Sequence, residues 1–442
     1  MKYFKQCLIS SLVIMVTLTG CASKSNTNAP KETNKAEVTK EEKDTKSEAF
    51  TIRYSSWFLN DPDGTHPEKK AFVDAVQKKY KEKYPNAKVE LESTPGDNYD
   101  NKLSASFASV SAPDVMYMFS TSLNKYAKAN YLADLSDIPV ASQMLESVKP
   151  INMYQGKVYG ITAGVTVAGA FYNKKVLKDL GVNLPKTWSE FLAVCEAIKA
   201  KGLTPIEAGF KDAWTVNWAT APIAASSINN PGIETDLYNG KTKINGSEFQ
   251  GFVAKWTQLS EKGYFNKNAL SIGFDQAQKE FADGKAAFFI NGSWVPSGVK
   301  GANSEAEIGY MSIPNDQGQS VIVTANDNSI AINAKTSNMQ RAKDLVSVLT
   351  DGTVLAAFYK NNTLPALKNL DVPFDLPAMN EVKEALKSNK TAMFPGTYMP
   401  KSSYDIVYGS LPTQIIGGKK LGSELEEADK NLQKDKVTVP TP

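Results

Sequence analysis

Histidine is nearly missing from this 442-residue chain, which contains His66 and no other. Zinc sites built from histidine and the HExxH motif need more than one imidazole. Ser/His/Asp hydrolysis also depends on an imidazole. His66 precedes Pro67 and Glu68 at a predicted helix start, so we interpret it as a neighbour of the helix cap rather than as a ligand-binding residue. Three cysteines are too few for a disulfide framework or a four-cysteine metal site. These shortages argue against the commonest hydrolases and metalloproteins, and we expect no metal.

A large excess of charge of either sign is also lacking. Lysine and arginine number 50 against 47 aspartate and glutamate, a formal charge of +3 that is too near neutral for a nucleic-acid-binding protein. Walker A and GxGxxG sequences are absent, so we expect no nucleotide cofactor. What is present is a globular balance, 42% hydrophobic and 22% charged, in a chain too long for one core. The length therefore predicts two lobes or more.

The first twenty residues have the pattern of a secretory signal peptide. Lys2 and Lys5 precede an apolar run from Cys7 to Leu18, which is too short for a secure membrane span. The run ends in Leu18-Thr19-Gly20-Cys21, which resembles the bacterial lipobox, whose cysteine is acylated. The alternative is an ordinary signal peptide with a chance cysteine. We expect an extracytoplasmic protein anchored to the cell membrane by a lipid on Cys21.

Residues 22–49 have the composition of a tether. They contain no aromatic residue, and six lysines offset six acidic side chains. Such a segment cannot bury a core, so we expect it to be disordered, with an average reach of roughly 30 Å. If Cys7 leaves with the signal and Cys21 carries lipid, Cys195 is the remaining thiol, and its apolar neighbours at helical spacing predict that it is buried.

From residue 50 onward, strand and helix patterns alternate, which predicts an α/β architecture with a largely parallel sheet. Thr187 and Glu190 form a capping box at one helix start, and Gly263 ends another helix. The predicted strands cover 50–54, 88–91, 114–119, 286–290, 308–313 and 329–333, and the predicted helices cover 67–80, 99–108, 188–198, 247–262, 342–349, 354–359 and 423–432.

The six tryptophans divide by position. Trp188 and Trp256 lie among aliphatic residues at helical spacing, which favours a core position. Trp57 and Trp294 each follow a predicted strand, at the edge where ligands bind in open α/β sheets. Trp214 and Trp218 are four residues apart and share a helix face, which fits a core and a ligand platform equally well.

Aromatic faces with polar neighbours suit a sugar. The C–H face of a pyranose packs on the ring, while amide and carboxylate groups satisfy hydroxyls that would otherwise be desolvated without a partner. Polar side chains in predicted turns beside strands, which turn chemistry also explains, are Asp97, Asn98, Asn291, Asn326 and Asp327. A glycosidase or lyase would use similar platforms, although no motif singles out two of the 47 acids.

Several motifs in their order resemble extracellular solute-binding proteins of bacterial ABC importers, most closely the maltodextrin-binding, carbohydrate-uptake branch. The resemblance covers essentially all of residues 50–442. The motifs are the lipobox, Ser111-Ala112-Pro113-Asp114-Val115, Gly156-Lys157-Val158-Tyr159-Gly160, Phe171-Tyr172-Asn173-Lys174, Pro185-Lys186-Thr187-Trp188-Ser189-Glu190-Phe191, the segment Phe281 to Phe289, and Asn291-Gly292-Ser293-Trp294.

The resemblance implies a two-lobed, periplasmic-binding-protein-like (type II) α/β fold with three hinge crossings, near 163–167, 324–328 and 361–366. Lobe I would then comprise 50–164 and 327–364, and lobe II would comprise 165–326 and 365–442. It also implies a ligand held between the lobes, closure about the hinge, and recognition of the closed form by permease subunits. We expect a monomer without a cofactor.

Family positions carried over by the resemblance add to the candidate site. They are Ser56, Trp57 and Phe58 after the first strand; Asp97 and Asn98; Trp214 and Trp218; Asn291, Gly292 and Trp294; and Tyr398 in a late loop. The specificity loops vary within the family, so the sugar does not transfer. The leading hypothesis is a lipid-anchored receptor that delivers an oligosaccharide or other small carbohydrate to an ABC permease. Alternatives are a lipid-anchored carbohydrate-active enzyme, a receptor for a peptide or polyamine, or a surface adhesin or sensor.

Overall fold

The computed structural model describes residues 48–59, 67–326, 328–359 and 362–435. The predicted signal peptide, Cys21, nearly all of the predicted tether, His66 and Asp327 lie outside these residues. Among the described helices, none is both long and apolar enough to span a bilayer.

The elements alternate along the chain as the sequence predicts. The strands are β1 (Phe50–Ser56), β2 (Ala87–Ser93), β3 (Val115–Phe119), β4 (Met153–Tyr154), β5 (Lys157–Val158), β6 (Gly164–Asn173), β7 (Thr204–Glu207), β8 (Ala286–Gly292), β9 (Ile308–Met311), β10 (Val321–Ala325), β11 (Asn328–Ile332), β12 (Leu364–Pro365) and β13 (Lys390–Met393). The helices are α1 (Pro67–Lys83), α2 (Gly96–Ala108), α3 (Ser120–Lys128), α4 (Lys174–Leu180), α5 (Trp188–Ala200), α6 (Ala213–Ile228), α7 (Ile233–Tyr238), α8 (Ser247–Glu261), α9 (Phe274–Ala282), α10 (Val295–Ala302), α11 (Met339–Leu349), α12 (Gly352–Tyr359), α13 (Pro377–Ser388), α14 (Lys401–Tyr404), α15 (Leu411–Ile416) and α16 (Glu424–Lys434).

Lobe I is built on a sheet of order β11-β3-β1-β2. β1 pairs in parallel with β2 and with β3, and β11 joins β3 antiparallel. Helices α1, α11 and α12 cover one side, and their apolar faces enclose a core that includes Ile52, Tyr54, Val76, Val115 and Leu345.

Lobe II is built on a larger sheet of order β13-β10-β6-β8-β7, and β9 and β12 also pair with β6. The expectation of a largely parallel sheet is wrong here. β6 is antiparallel to β8, β9, β10 and β12, whereas β7–β8 and β10–β13 are parallel. The reason is that the chain enters lobe II at the start of β6, so β6 runs away from the crossing between the lobes. The strands that pair with β6 run back toward that crossing.

The two sheets have separate apolar cores, which is what divides the described chain into two lobes. The core of lobe II contains Trp188, Cys195 and Trp256, as the helical spacing predicts. Burial raises the pKa of the Cys195 thiol well above its usual range, because the thiolate is poorly solvated there.

The helix signals are largely confirmed. The side chain of Thr187 caps α5 by accepting a hydrogen bond from the backbone N–H of Glu190, and the Glu190 carboxylate accepts one from the N–H of Lys186. One start is corrected: α2 begins at Gly96, three residues before the predicted Tyr99. Asp97 and Asn98 therefore lie in the first turn of α2, not in a turn that precedes it.

The polypeptide changes lobe between Ile161, which pairs with Ile330 of lobe I, and β6 of lobe II. It changes lobe again between β10 and β11. The third passage is broader than predicted, because Leu364 packs in lobe II while Ala366 and Leu367 pack in lobe I before α13 returns to lobe II. The segment boundaries themselves stay a prediction.

Candidate functional site

Strand direction brings the carboxyl ends of both sheets to the same crossing. In lobe II, β8 ends at Gly292 and β10 ends at Ala325, both beside the start of β6, and their parallel neighbours β7 and β13 run in the same direction. In lobe I, β3 ends at Phe119, which pairs with Asn328, the first residue of β11. Because β11 starts three residues after β10 ends, both edges border this crossing. Ligands of open α/β sheets bind at such edges.

Lobe I contributes an aromatic platform, which we define as Trp57 and Phe119. Their rings stack with centroids 5.7 Å apart and planes 17° from parallel. The indole N–H of Trp57 donates a hydrogen bond to Oδ1 of Asn328 over 2.9 Å. Trp57 is half-buried as a residue.

Lobe II contributes a longer aromatic wall, defined as Trp214, Trp218, Phe274, Trp294 and Phe394. Trp294 lies edge-on to Trp218 at 4.4 Å and tilted to Trp214 at 5.9 Å. Phe394 stacks on Trp218 at 4.5 Å, and Phe274 contacts Trp214 at 4.9 Å. Trp218 is only 7% exposed whereas Trp214 is 37% exposed. The two tryptophans of α6 therefore differ: Trp218 supports the wall from inside, and Trp214 presents a surface.

Gly292 explains how Trp294 is placed. A Cβ on Gly292 would come within 2.2 Å of Cη2 of Trp294, so the ring lies directly against the end of β8. The indole nitrogen Nε1 of Trp294 is buried and makes no hydrogen bond with any residue that the structure describes. Because this nitrogen is closed to solvent, it is closed to a ligand as well, and Trp294 can offer a ligand only the accessible part of this half-buried residue.

Three of the sequence candidates have their side chains turned inward. Ser56 is buried and its hydroxyl accepts a hydrogen bond from the N–H of Phe58 over 3.2 Å. Phe58 packs against Phe72 and Tyr117 in the core of lobe I. Tyr398 is 2% exposed and packs in the core of lobe II. We assign no ligand contact to these three side chains.

The polar candidates are also distributed unevenly. Asn291 is buried, and its Oδ1 accepts the N–H of Gly292, so it shapes the turn after β8. Asn98 is exposed in the first turn of α2. Asn326, at the crossing, is 5% exposed; its amide donates weakly to the carbonyl of Ser147 in lobe I, and its Oδ1 has no partner in the described ranges.

Phe119, Phe274, Phe394 and Asn328 were not predicted as site residues. A signal existed for Phe119, which ends a predicted apolar strand, whereas Phe394 follows directly after β13, a strand that the sequence analysis does not predict. Phe274 and Asn328 have no local signal, because their positions depend on partners distant in sequence.

Ionisable groups near the strand ends do not form a metal site. Within the described ranges, no cluster of three or more His, Cys, Asp and Glu side chains could hold a metal. Glu207 ends β7 and is 2% exposed, with Oε1 buried and unpaired. The pKa of Glu207 is raised to about 8, mainly by burial and further by the nearby Glu280. Lys285 lowers this pKa by a smaller amount.

A two-lobed α/β fold, with aromatic side chains at strand ends beside the crossing between the lobes, defines a solute-binding protein. Residues 63–351 match the family of bacterial extracellular solute-binding proteins, and the chain belongs to that family. This confirms the family that the sequence motifs resemble.

Relatives and solved structures agree in class. The chain is 25% identical over 299 residues to the multiple sugar-binding protein of Streptococcus mutans, covering 66% of this chain and 71% of the relative. The structure of the solute-binding protein RafE in complex with raffinose superposes with a TM-score of 0.74 at 22% identity, covering 88% of this chain and 100% of that one. A chitin oligosaccharide binding protein superposes with a TM-score of 0.75 at 24% identity, covering 88% and 98%. At these identities the two structures establish the fold.

Proposed function

We propose that the solute is an oligosaccharide or other small carbohydrate. The observation that carries this proposal is the aromatic wall at the end of β8 and the start of α6, where Trp214 is 37% exposed and Trp294 is half-buried. A sugar suits such a wall, because its C–H faces pack on aromatic rings.

The arrangement of the two lobes supports the same ligand class. The Trp57–Phe119 platform and the aromatic wall belong to different lobes, and both border the crossing at residues 325–328. Ligand contacts that form only when the two lobes approach provide the differential affinity that closure requires. Relatives named for raffinose, chitin oligosaccharide and multiple sugars support a carbohydrate, without indicating which one.

Thermal unfolding with a panel of solutes tests the proposal. The panel contains raffinose, chitin oligosaccharides, maltodextrins, a peptide mixture and a polyamine. A sugar at about a hundred times its Kd adds roughly 2.7 kcal/mol to the free energy of unfolding. The proposal is overturned if no sugar raises the Tm and the peptide or polyamine does.

We also propose that the receptor is a monomer that delivers its ligand to the permease subunits of an ABC importer and is held at the membrane by a lipid on Cys21. The position of Leu18-Thr19-Gly20-Cys21 after the apolar run supports the anchor. Mass spectrometry of the mature N-terminus should find an acylated cysteine, and Cys21→Ser should release the protein into the medium or periplasm. Deletion of the receptor should abolish uptake of the sugar that raises its Tm.

We propose that capture occurs without catalysis. Asp212, the N-cap residue of α6 beside Trp214, accepts a hydrogen bond from the backbone N–H of Phe274 over 2.7 Å, so this carboxylate is engaged in holding the wall together. Incubation of the protein with the sugar that it binds should leave the sugar intact. Release of shorter products at a rate above the protein-free control would favour the carbohydrate-active enzyme instead.

A further inference from the structure

Asn328 links the aromatic platform of lobe I to the crossing between the lobes. It is the first residue of β11, immediately after the passage from lobe II. Its Oδ1 accepts the indole N–H of Trp57 over 2.9 Å, although the two residues are 271 positions apart in sequence. Its backbone is paired with Phe119, on which the Trp57 ring stacks.

The backbone of Asn328 is itself held by the other crossing. Thr162, two residues before β6, donates its hydroxyl to the carbonyl oxygen of Asn328 over 2.9 Å. The Thr162 hydroxyl also accepts a hydrogen bond from the buried amide of Asn152. The segments at the first and second crossings are therefore hydrogen-bonded to each other at Asn328, the residue that also holds Trp57.

A buried polar network extends this support to α3; we define the hinge network as Asn152, Thr162, Ser329 and Ser120. Ser329 donates to Oδ1 of Asn152 over 2.7 Å, and the hydroxyls of Ser329 and Ser120 are 2.8 Å apart. All four side chains are buried. Such a fully enclosed network favours one geometry, because each lost hydrogen bond would leave a buried polar group unpaired.

We propose that Asn328 is a positioning residue, which fixes the indole of Trp57 in the orientation that stacks on the ligand. The inference rests on the proposed function, since it assigns the Trp57 ring to a sugar face. Stacking on Phe119 restrains the tilt of the indole, and the hydrogen bond to Asn328 restrains its rotation in the ring plane. A side chain ordered before binding loses less entropy when the ligand arrives.

The Asn328→Ala and Trp57→Phe variants, together with the double variant, test this role. Asn328→Ala removes the acceptor, and Trp57→Phe keeps an aromatic face but removes the indole N–H. We expect Asn328→Ala to weaken sugar binding by about threefold to tenfold with little change in Tm, because the loss is of preorganisation. In calorimetry, the double variant should bind no more weakly than Trp57→Phe alone. Asn328→Asp, which keeps an oxygen acceptor, should restore much of the affinity.

A ligand-free measurement separates this inference from the proposed function. In protein labelled with ¹⁵N-tryptophan, the Trp57 indole resonance, assigned by its absence in Trp57→Phe, should shift and exchange faster with solvent in Asn328→Ala. Gln258→Ala is the matched control, because Gln258 accepts the indole N–H of the core residue Trp188 over 3.1 Å. It should move the Trp188 resonance and leave sugar affinity unchanged.

The outcomes are distinct. An unchanged Trp57 resonance in Asn328→Ala, or affinity losses that add in the double variant, would overturn the positioning role. If no sugar in the panel binds the unaltered protein, the carbohydrate proposal fails, and the indole resonance alone decides whether Asn328 holds Trp57.

Discussion

The indole of Trp294 stands edge-on to the indole of Trp218, with ring centroids 4.4 Å apart and planes 78° from parallel. Edge-to-face contact joins the positive edge of one ring to the negative face of the other and is a favoured aromatic geometry. Trp218, nearly buried, therefore holds Trp294 in place, while the N–H of Trp294 stays without a partner in the described part of the protein.

Trp294→Ala should weaken sugar binding by an order of magnitude or more, since it removes a stacking face, and calorimetry measures this change. Trp188→Ala is the control. That residue is a core tryptophan, so its loss should lower the free energy of unfolding by about 3–5 kcal/mol without changing the affinity of the folded protein. Unchanged affinity in Trp294→Ala would remove this residue from the site.

Gly292→Ala should also reduce sugar affinity, although it adds only one methyl group. The new Cβ would lie 2.2 Å from Cη2 of Trp294, so the ring must move away from β8. Gly301→Ala in α10 is the matched control, because nothing lies within 4 Å of its Cβ position; it should leave affinity unchanged and raise stability by about 0.5–1 kcal/mol. Equal affinities of the two variants would contradict this account of Trp294.

Val110→Gly should stabilise the protein by about 0.5–1 kcal/mol in chemical denaturation. Val110 has a φ of 56° and is 70% exposed, so a β-branched residue occupies the left-handed region without packing to compensate. Asn130→Gly is the control, because Asn130 has a φ of 58° and asparagine tolerates this region. A loss of stability in Val110→Gly would show that the valine side chain makes a favourable contact.

Glu207 should make stability fall with rising pH. Its pKa is raised to about 8 in the folded protein by burial and by Glu280, with Lys285 opposing, whereas an unfolded glutamate titrates near 4.5. Between these two pKa values the folded state holds a proton that the unfolded state lacks. The contribution of Glu207 to the free energy of unfolding therefore declines from about pH 4.5 to about pH 8 and is then constant.

The matched comparison is Glu207→Gln, which keeps the shape of the side chain without the titration. The Tm difference between this variant and the unaltered protein should increase in favour of the variant from pH 5 to pH 8.5. A difference that does not change with pH would mean that Glu207 is ionised throughout.

Local patterns in the sequence predict much of the fold. Strand and helix periods, the capping box at Thr187 and the helical spacing around Trp188 and Trp256 depend on near neighbours, and the structure confirms them. The mixed sheet of lobe II was missed, because strand direction depends on where the chain enters the lobe. The same dependence separates Trp214 from Trp218: helical spacing puts both on one face, but only packing against Phe394 and Trp294 determines which is covered.

The sequence by itself determined the family, the α/β class and the positions of Trp57 and Trp294 after strands, because short motifs and periodicity encode these features. Only the tertiary structure decided which candidates present a surface. Phe58 and Tyr398 turn into the cores, and Trp57 donates to a residue 271 positions away. The physical reason is that burial and hydrogen bonding are settled between distant segments, and no local pattern specifies which of them meet.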